Sequence, residues 1–361
     1  MIPRFLFCFL CFIKTSLVSF EALSYKLQDS LKQYPKNIIL PAIAYTPETS
    51  VSLGISGVRV YYTDTVSRAS QWSTTMLYTF KNQLLIELAA QLFFRENQYL
   101  LKSKFNFNQF PEYYYGIGNN TQEHDKTIVQ YNVVKWEGSI TRRLAKRWYG
   151  GPKMYISKYF NMITEKSYVD NHRLYGLNGG LTTGVGFASI YDSRDNIMNA
   201  RKGWYWETSA VWNRKELGGD YQYFMFMTDL RKYIALSTKT ILAWQGVGQI
   251  ESGQVPFLQL SYLGGNTIMR GFYSGRYRDN NLIATQAEIR QELTPKWGVV
   301  AFAGLGQVFN QWLEVSIPAL QHSLGLGLRR VLNKSQGINL RLDVGFGNGQ
   351  SNFYINIAEA F

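Results

Sequence analysis

The residues with the clearest chemical potential lie in the stretch GGNTIMRGF, from Gly264 to Phe272. This stretch stands in a long polar connector and is followed by the segment ATQAEIRQEL, which contains Glu288. A connector arginine, here Arg270, and an inward-facing glutamate on the next strand can form a charge-assisted ion pair. A soluble enzyme has no obvious use for such a pair, so its role must be inferred from the segments around it.

The segments around this pair alternate between apolar and polar residues, as β-strands with one apolar face do. From Ile338 to Phe346 every second residue is apolar, and the other face carries polar residues that include Arg341 and Asp343. The same alternation recurs from Leu84 to Phe94. Inward charges are costly in a protein core but cost little in a watery lumen. The pattern therefore predicts a β-barrel with an apolar outer face.

Sixteen segments follow this pattern, and an even number is expected of a bacterial barrel whose two ends lie on the same side. The long connectors at residues 114–126, 161–180 and 252–281 are placed on the outer side, and short ones such as residues 333–336 on the periplasmic side. The expected fold is all-β, a 16-stranded antiparallel transmembrane β-barrel. The predicted strands are 38–45, 51–62, 71–80, 84–94, 99–110, 127–143, 150–160, 181–192, 203–215, 221–233, 239–251, 282–293, 298–309, 319–331, 337–346 and 352–361.

The first residues are typical of an export signal. A short apolar run from Phe5 to Ile13 follows Arg4, and small residues stand near position 24, which predicts a signal peptide over residues 1–24. Residues 25–37 are then a short periplasmic lead-in and residues 38–361 the barrel. Both cysteines, Cys8 and Cys11, fall in the signal peptide. The mature chain would then hold no thiol, which excludes disulfides, thiolate metal sites and cysteine nucleophiles.

The composition and the distribution of charge indicate which classes of partner to expect. The 361 residues carry a formal net charge of +13, but the Lys and Arg residues are dispersed through strands and turns rather than gathered on one helix or arm. We therefore expect no nucleic-acid partner. Outer-membrane lipids and lipopolysaccharide at the rim account for the charge. The scattered histidines and the lack of a serine, histidine and acid grouping predict no metal, no cofactor and no enzymatic activity.

Several motifs, in order, resemble a known family. The resemblance is to the BamA and TamA type of outer-membrane assembly barrel, also called the bacterial surface antigen family, and it covers about residues 35–361. It implies a sixteen-stranded barrel whose sixth outer loop folds back into the lumen. The motifs are YDSRDNIMNARKGWYWE at 191–207, GGNTIMRGF at 264–272, AEIRQEL at 287–293, VVAFAGLGQVF at 299–309 and LRLDVGFG at 340–347.

The resemblance also implies the site. Arg270, with Gly271 and Phe272, corresponds to the loop tip that meets acids on the barrel wall, and the lumen partner is then Glu288. The family usually has a second acid in the pattern F-x-D-x-G, but this chain has Gly304 at the acid position. Asp343 is the candidate substitute. Two alternatives stay open, because Arg270 and Glu288 can be a solvated pair and the pair Gly264 and Gly265 can be simple turn residues.

The function follows from the same resemblance. Members that assemble or export proteins carry periplasmic POTRA modules before the barrel, and none precedes the predicted barrel here. We expect a barrel-only relative that assists insertion or translocation of protein or lipid, with outer-membrane assembly machinery as partner and Phe361 as a C-terminal assembly signal. A passive pore is the alternative. A second alternative is a structural barrel that organises the membrane as a homo-oligomer.

Overall fold

The structure is a computed structural model that describes residues 36–64, 66–164, 174–197, 199–333 and 337–361. The predicted signal peptide and nearly all of the predicted lead-in lie outside the described residues, as do residues 334–336 of one predicted short turn. Within these ranges no helix is long and apolar enough to cross a membrane.

Sixteen antiparallel strands form a closed barrel in sequence order, and the last strand returns to the first. The predicted fold class is confirmed, and all sixteen predicted strands are present with small differences at their ends. Among the described residues, five short 3-10 turns lie in the connectors, at Glu123–Asp125, Lys215–Leu217, Phe257–Gln259, Trp312–Glu314 and Ile317–Ala319. The strands are β1 (Lys36–Thr46), β2 (Ser50–Tyr61), β3 (Ser70–Thr79), β4 (Leu84–Phe94), β5 (Tyr99–Tyr114), β6 (Thr127–Ala145), β7 (Trp148–Thr164), β8 (Gly180–Asp192), β9 (Gly203–Asn213), β10 (Tyr223–Ala235), β11 (Thr240–Gly253), two short strands outside the barrel, β12 (Ser261–Leu263) and β13 (Tyr277–Asp279), and then β14 (Asn281–Thr294), β15 (Trp297–Phe309), β16 (Gln321–Asn333), β17 (Ile338–Gly347) and β18 (Gln350–Ile357).

The two faces of the barrel divide as the alternation predicts. On β9 the side chains of Trp204, Trp206 and Trp212 are exposed on the outside, while Ser209 is buried on the inside. Successive side chains of a strand point to opposite faces, so one apolar residue in two is enough to coat the outer surface. The outer face is apolar and aromatic, as lipid contact requires.

The barrel has two unlike rims. The rim that carries the start of β1 and the end of β18, here called the terminal rim, has mostly short connectors, such as residues 95–98, 146–147 and 295–296. The opposite rim, here called the loop rim, has the long ones at residues 115–126 and 254–280. The two described long connectors lie on the same rim, as the sequence predicts, although this rim also has short turns at residues 47–49, 80–83 and 348–349. Residues 165–173 of the predicted long connector 161–180 lie outside the described residues.

The connector of residues 254–280, here called the plug loop, folds into the barrel. Its short strands β12 and β13 pair with each other as a hairpin. The sequence presents this connector as polar, but it also carries apolar side chains that are buried against the wall, namely Val255, Phe257, Leu258, Leu260, Leu263, Met269, Phe272 and Tyr277. The plug loop therefore brings its own small apolar core into the lumen.

The end of the chain departs from the prediction. The expected strand 352–361 is wrong in its last residues, because β18 ends at Ile357. Ala358 then adopts a positive φ of 75° and turns the chain inward. Glu359 contacts Arg329 at 2.8 Å, which holds the inward path. The ring of Phe361 is buried inside the barrel in a cluster with Ala200, Tyr233, Ala243 and Ala360.

Candidate functional site

The tip of the plug loop needs its glycines. Gly271 has φ of 119°, and a Cβ atom there would lie 2.8 Å from the backbone of Phe346 on β17. Gly264 has φ of 108°, and its Cβ atom would lie 2.1 Å from the carbonyl oxygen of Tyr273. Side chains rarely adopt these backbone angles, and neither position has room for one. Backbone angle and lack of space therefore both require glycine, at Gly271 against the wall and at Gly264 against the plug loop itself.

Arg270 is the centre of the site. Its guanidinium contacts Glu288 on β14 through one terminal nitrogen and Asp343 on β17 through the other, and all three side chains are 0% exposed. The guanidinium carbon also lies 3.7 Å from the centre of the Phe302 ring on β15. One fork therefore joins the loop to two acids and an aromatic face on three strands.

Each acid has a further arginine. Arg290 lies 2.8 Å from Glu288, and Arg329 lies 2.5 Å from Asp343. Glu359, from the inward C-terminal segment, bridges this pair of arginines, at 2.8 Å from Arg329 and 3.9 Å from Arg290. The contacts tie the plug loop and the C-terminal segment into one buried network. Its seven charged members are Arg270, Arg290, Arg329, Arg341, Glu288, Asp343 and Glu359.

The second acid of the site is on a different strand from the one where the family usually has it. Gly304 on β15 faces the lumen, and a Cβ atom there would lie 2.8 Å from the sulfur of Met269. Asp343 instead reaches Arg270 from β17, over Gly327, where a Cβ atom would lie 2.1 Å from its carboxylate. The arginine contacts therefore include two acids, although the usual position holds glycine.

The solvated-pair alternative does not fit this geometry. A surface pair contributes about 0–1 kcal/mol because water screens it, whereas Arg270, Glu288 and Asp343 are fully buried. Removing one partner of such a buried pair costs about 3–5 kcal/mol because it leaves a buried charge without compensation. The arrangement is suited to holding a loop against the wall.

Further contacts attach the plug loop on both sides of the point where the barrel closes. The backbone N–H of Ser274 donates to Glu48 in the turn between β1 and β2, at 2.5 Å. Burial raises the pKa of Glu48 above its ordinary value. On β18, the Tyr354 hydroxyl accepts from the N–H of Gly271 at 3.0 Å, and Asn352 donates to the Gly271 carbonyl at 2.6 Å. The plug loop thus spans the junction of the first and last strands.

That junction, here called the seam, has little strand pairing. Between β1 and β18 only Tyr45 and Ile355 face each other as a pair, whereas β1 faces β2 along its whole length. Pro41 lies in β1, and a proline nitrogen has no hydrogen to donate to a neighbouring strand. The seam is consequently the weakest pairing in the described barrel.

The site offers binding chemistry rather than catalytic chemistry. Its charged groups are paired arginines and carboxylates, with no activated nucleophile beside a base. Within the described ranges, no group of three or more His, Cys, Asp or Glu residues is placed to hold a metal ion.

The geometry, a sixteen-stranded barrel with an arginine-tipped inward loop, agrees with a family comparison. The sequence profile described as the Omp85 superfamily domain matches residues 46–361. The chain belongs to the Omp85 superfamily. It is accordingly an outer-membrane barrel in a lipid environment, from a family of protein insertion and translocation factors that are generally not enzymes. The resemblance drawn from the motifs is confirmed at this level.

Solved Omp85-type structures have the same fold at low sequence identity. BamA from Haemophilus ducreyi lacking POTRA domains 1-3 superposes with a TM-score of 0.57 at 14% identity, over 90% of this chain and 70% of that one. CdiB from Acinetobacter baumannii superposes with a TM-score of 0.55 at 15% identity, over 90% of this chain and 60% of that one. CdiB from Escherichia coli superposes with a TM-score of 0.57 at 10% identity, over 89% of this chain and 63% of that one. No curated protein sequence matches the chain.

Sequence reasoning in this Omp85 chain missed several members of the site. Arg290 and Arg329 lie on the inner faces of their strands, and the alternation that places Glu288 inward also places Arg290 inward. That signal was available in the sequence. Glu48 and Tyr354 carry no comparable signal, because their role depends on the path of the plug loop across the seam.

Proposed function

We propose that this Omp85 barrel assists the insertion or translocation of proteins at the outer membrane, and that the seam between β1 and β18 opens sideways during the process. The observation that carries the proposal is the single facing pair at the seam, Tyr45 and Ile355. Antiparallel strands are held by cross-strand pairs, so a junction with so few of them separates at lower cost than any other.

The plug loop is the natural control element for such an opening. It contacts Glu48 beside β1 and Tyr354 on β18, so its docking holds the two sides of the seam together. Arg270 in turn fixes the tip of the loop to the wall. We propose that release of this tip lowers the cost of separating β1 from β18.

A disulfide across the seam tests the proposal. Tyr45→Cys with Ile355→Cys joins β1 to β18, and Leu342→Cys with Ile355→Cys is the matched control, because Leu342 faces the same residue from β17. Both variants are made with Cys8 and Cys11 replaced by serine. The assay is the rate at which the barrel, in lipid vesicles, promotes folding of a denatured outer-membrane β-barrel protein.

We expect oxidation to abolish this promotion for the seam variant and reduction to restore it. The control variant should be equally active in both states, because β17 and β18 need not separate. Full activity of the oxidised seam variant would contradict the proposal.

The remaining parts of the proposal concern the export of the chain, its orientation in the membrane and its partners. We propose that residues 1–24 act as an export signal and that the chain ends lie on the periplasmic side. Lipopolysaccharide at the loop rim and the outer-membrane assembly machinery are the proposed partners. A homo-oligomer is compatible with the same barrel.

The passive pore is the second candidate. The plug loop fills the loop-rim end of the lumen with buried side chains such as Phe257 and Phe272, which disfavours a wide and permanently open channel. A conductance measurement, described below, distinguishes the two functions.

A further inference from the structure

The connector between β15 and β16, residues 310–320 and here called the outer flap, exposes its apolar side chains. Its sequence is NQWLEVSIPAL, in which more than half of the residues are apolar and Glu314 is the one charged residue. Leu313 is 94% exposed and Ile317 is 85% exposed, the highest values of any large apolar side chain in the described residues. Exposed apolar patches of this kind mark contact sites for a protein, a ligand or a membrane.

The outer flap lies over the lipid-facing side of β15. On this strand Leu305 faces outward and is exposed, whereas Val308 faces inward and is buried in a cluster with plug-loop residues. Because successive side chains of a strand point to opposite faces, Gln307 and Phe309 face outward. Each of these two side chains is nevertheless only 1% exposed. They are therefore covered from the outside of the barrel, by the outer flap.

Hydrogen bonds and a ring contact hold the outer flap in this position. The Gln307 side chain donates to the Glu314 carbonyl at 3.1 Å, and its Oε1 accepts from the N–H of Ser316 at 3.3 Å. The rings of Phe309 and Trp312 lie 5.0 Å apart between their centres. The carboxylate of Glu314 accepts a backbone N–H of the same connector at 3.0 Å. These contacts satisfy polar groups of the flap at the wall, while its apolar side chains remain exposed.

The outer flap lies at the height of a membrane boundary. The 13 residues of β15, at about 3.4 Å each and tilted by about 40°, rise about 30 Å, which is about the thickness of the hydrocarbon core of a bilayer. β15 begins at the terminal rim with the exposed Trp297 and ends beside the exposed Trp312. Aromatic residues at both ends of a membrane-spanning strand are typical of the two boundaries between acyl chains and head groups. His322, the outward residue near the start of β16, is amphipathic, as suits the same boundary.

The apolar side chains of the outer flap continue the surface that contacts lipid. Leu305 on β15 and Leu324 and Leu326 on β16 are exposed on the outer face next to the flap. This outer face already lies in a lipid environment, because the chain is an outer-membrane barrel. An apolar segment at the boundary buries its side chains by entering the outermost part of the acyl region. Continuity with the lipid-facing wall therefore favours lipid over a protein partner.

We propose that the outer flap inserts Leu313 and Ile317 among the acyl chains of the leaflet at the loop rim, close to the head groups. Gln307 is the positioning residue that holds the flap against the wall. Each inserted side chain favours the acyl environment over water roughly tenfold or more, and together they fix the height of β15 and β16 in the bilayer. This inference does not depend on the proposed function, because it uses neither the plug loop nor the seam.

Fluorescence quenching in lipid vesicles tests the proposal. A bimane label is attached to Leu313→Cys in the full chain with Cys8 and Cys11 replaced by serine, and the barrel is folded into phosphatidylcholine vesicles. One quencher is a phosphatidylcholine with a nitroxide on its acyl chain near the head group, and the other is iodide on both sides of the membrane. The matched control is Glu216→Cys, an exposed position in the polar connector 214–222 of the same rim. Retained resistance to unfolding on heating shows that the labelled variants are folded.

We expect the nitroxide lipid to quench the label at position 313 strongly and iodide to quench it weakly. The label at position 216 should show the reverse. Strong quenching by iodide with little quenching by the nitroxide lipid at position 313 would show that the flap lies in water, and would overturn the proposal.

A second substitution tests whether the flap inserts as a unit. Ile317→Asn removes one inserted side chain and should weaken insertion roughly tenfold, so the ratio of nitroxide to iodide quenching at position 313 should fall. Leu217→Asn, in the control connector, should leave this ratio unchanged. An equal ratio in the wild type and in Ile317→Asn would contradict joint insertion.

The same labels distinguish lipid from a second copy of the chain. A flap covered by another copy would be shielded from both quenchers, and this shielding would disappear as the ratio of lipid to protein is raised. That result would assign the outer flap to an interface between copies and would overturn the lipid proposal. We expect the quenching at position 313 to be independent of this ratio.

Discussion

Replacing Arg270 with alanine should release the tip of the plug loop without unfolding the barrel. The guanidinium contacts Glu288 and Asp343 with all three side chains fully buried, so the substitution leaves two buried carboxylates short of a partner. Loss of one partner of a buried pair costs about 3–5 kcal/mol. Glu288 keeps Arg290, and Asp343 keeps Arg329 and Arg341, so we expect the lower end, about 3 kcal/mol.

A cost of about 3 kcal/mol raises the population of the undocked loop roughly 150-fold. Hydrogen exchange measures this population through the amides that dock the loop, since Met269 donates to Gln286 on β14 and Gly271 donates to Tyr354 on β18. Their protection should fall by about two orders of magnitude, while the amides of β9 and β10 stay protected. In Arg270→Lys the protection of these amides should lie between that of the wild type and that of Arg270→Ala, because an ammonium keeps the charge but lacks the fork that reaches both acids.

The control is Arg231→Ala, which removes a lumen arginine that pairs with Asp229 and has no contact with the plug loop. It should leave the exchange of the plug loop unchanged. If Arg270→Ala also leaves plug-loop exchange within twofold of the wild type, the ion pairs do not hold the tip and the reasoning fails.

Three further predictions follow from particular contacts. Gly345→Ala places a Cβ atom 2.7 Å from the backbone of Arg270 and should weaken docking by about 1–3 kcal/mol, as read by the same exchange, whereas Gly57→Ala, with 3.8 Å of clearance, should not. Hydrogen bonds from Ser67 and the Glu96 N–H hold the pKa of Asp64 well below its ordinary value. The turn that contains Asp64 therefore keeps this stabilisation above about pH 4 and loses it as the pH falls through the lowered pKa. Ser67→Ala should raise the pKa of Asp64 in a carboxyl-carbon NMR titration, and an unchanged titration would refute the assigned cause. In planar bilayers the wild-type barrel should conduct weakly and deletion of residues 264–273 should increase the conductance, whereas a large conductance that the deletion does not alter would favour the passive pore.

The barrel and its two faces could be predicted from the amino-acid sequence alone. The alternation from Ile338 to Phe346 is a local property of the backbone, because successive side chains of any strand point to opposite sides. It therefore placed Asp343 and Glu288 inside without knowledge of their neighbours. The count of sixteen strands followed from the same period.

Which of these inward groups contact each other depends on how distant parts of the chain pack together. Arg270 reaches Asp343 on β17 although the two are 73 residues apart, because the plug loop crosses the lumen and Gly304 leaves room there for Met269. The inward turn after Ile357 depends likewise on ion pairs of Glu359 with distant arginines. The sparse seam depends on how the two ends of the chain meet. Such contacts join residues far apart in the chain, and a two-residue period carries no information about them.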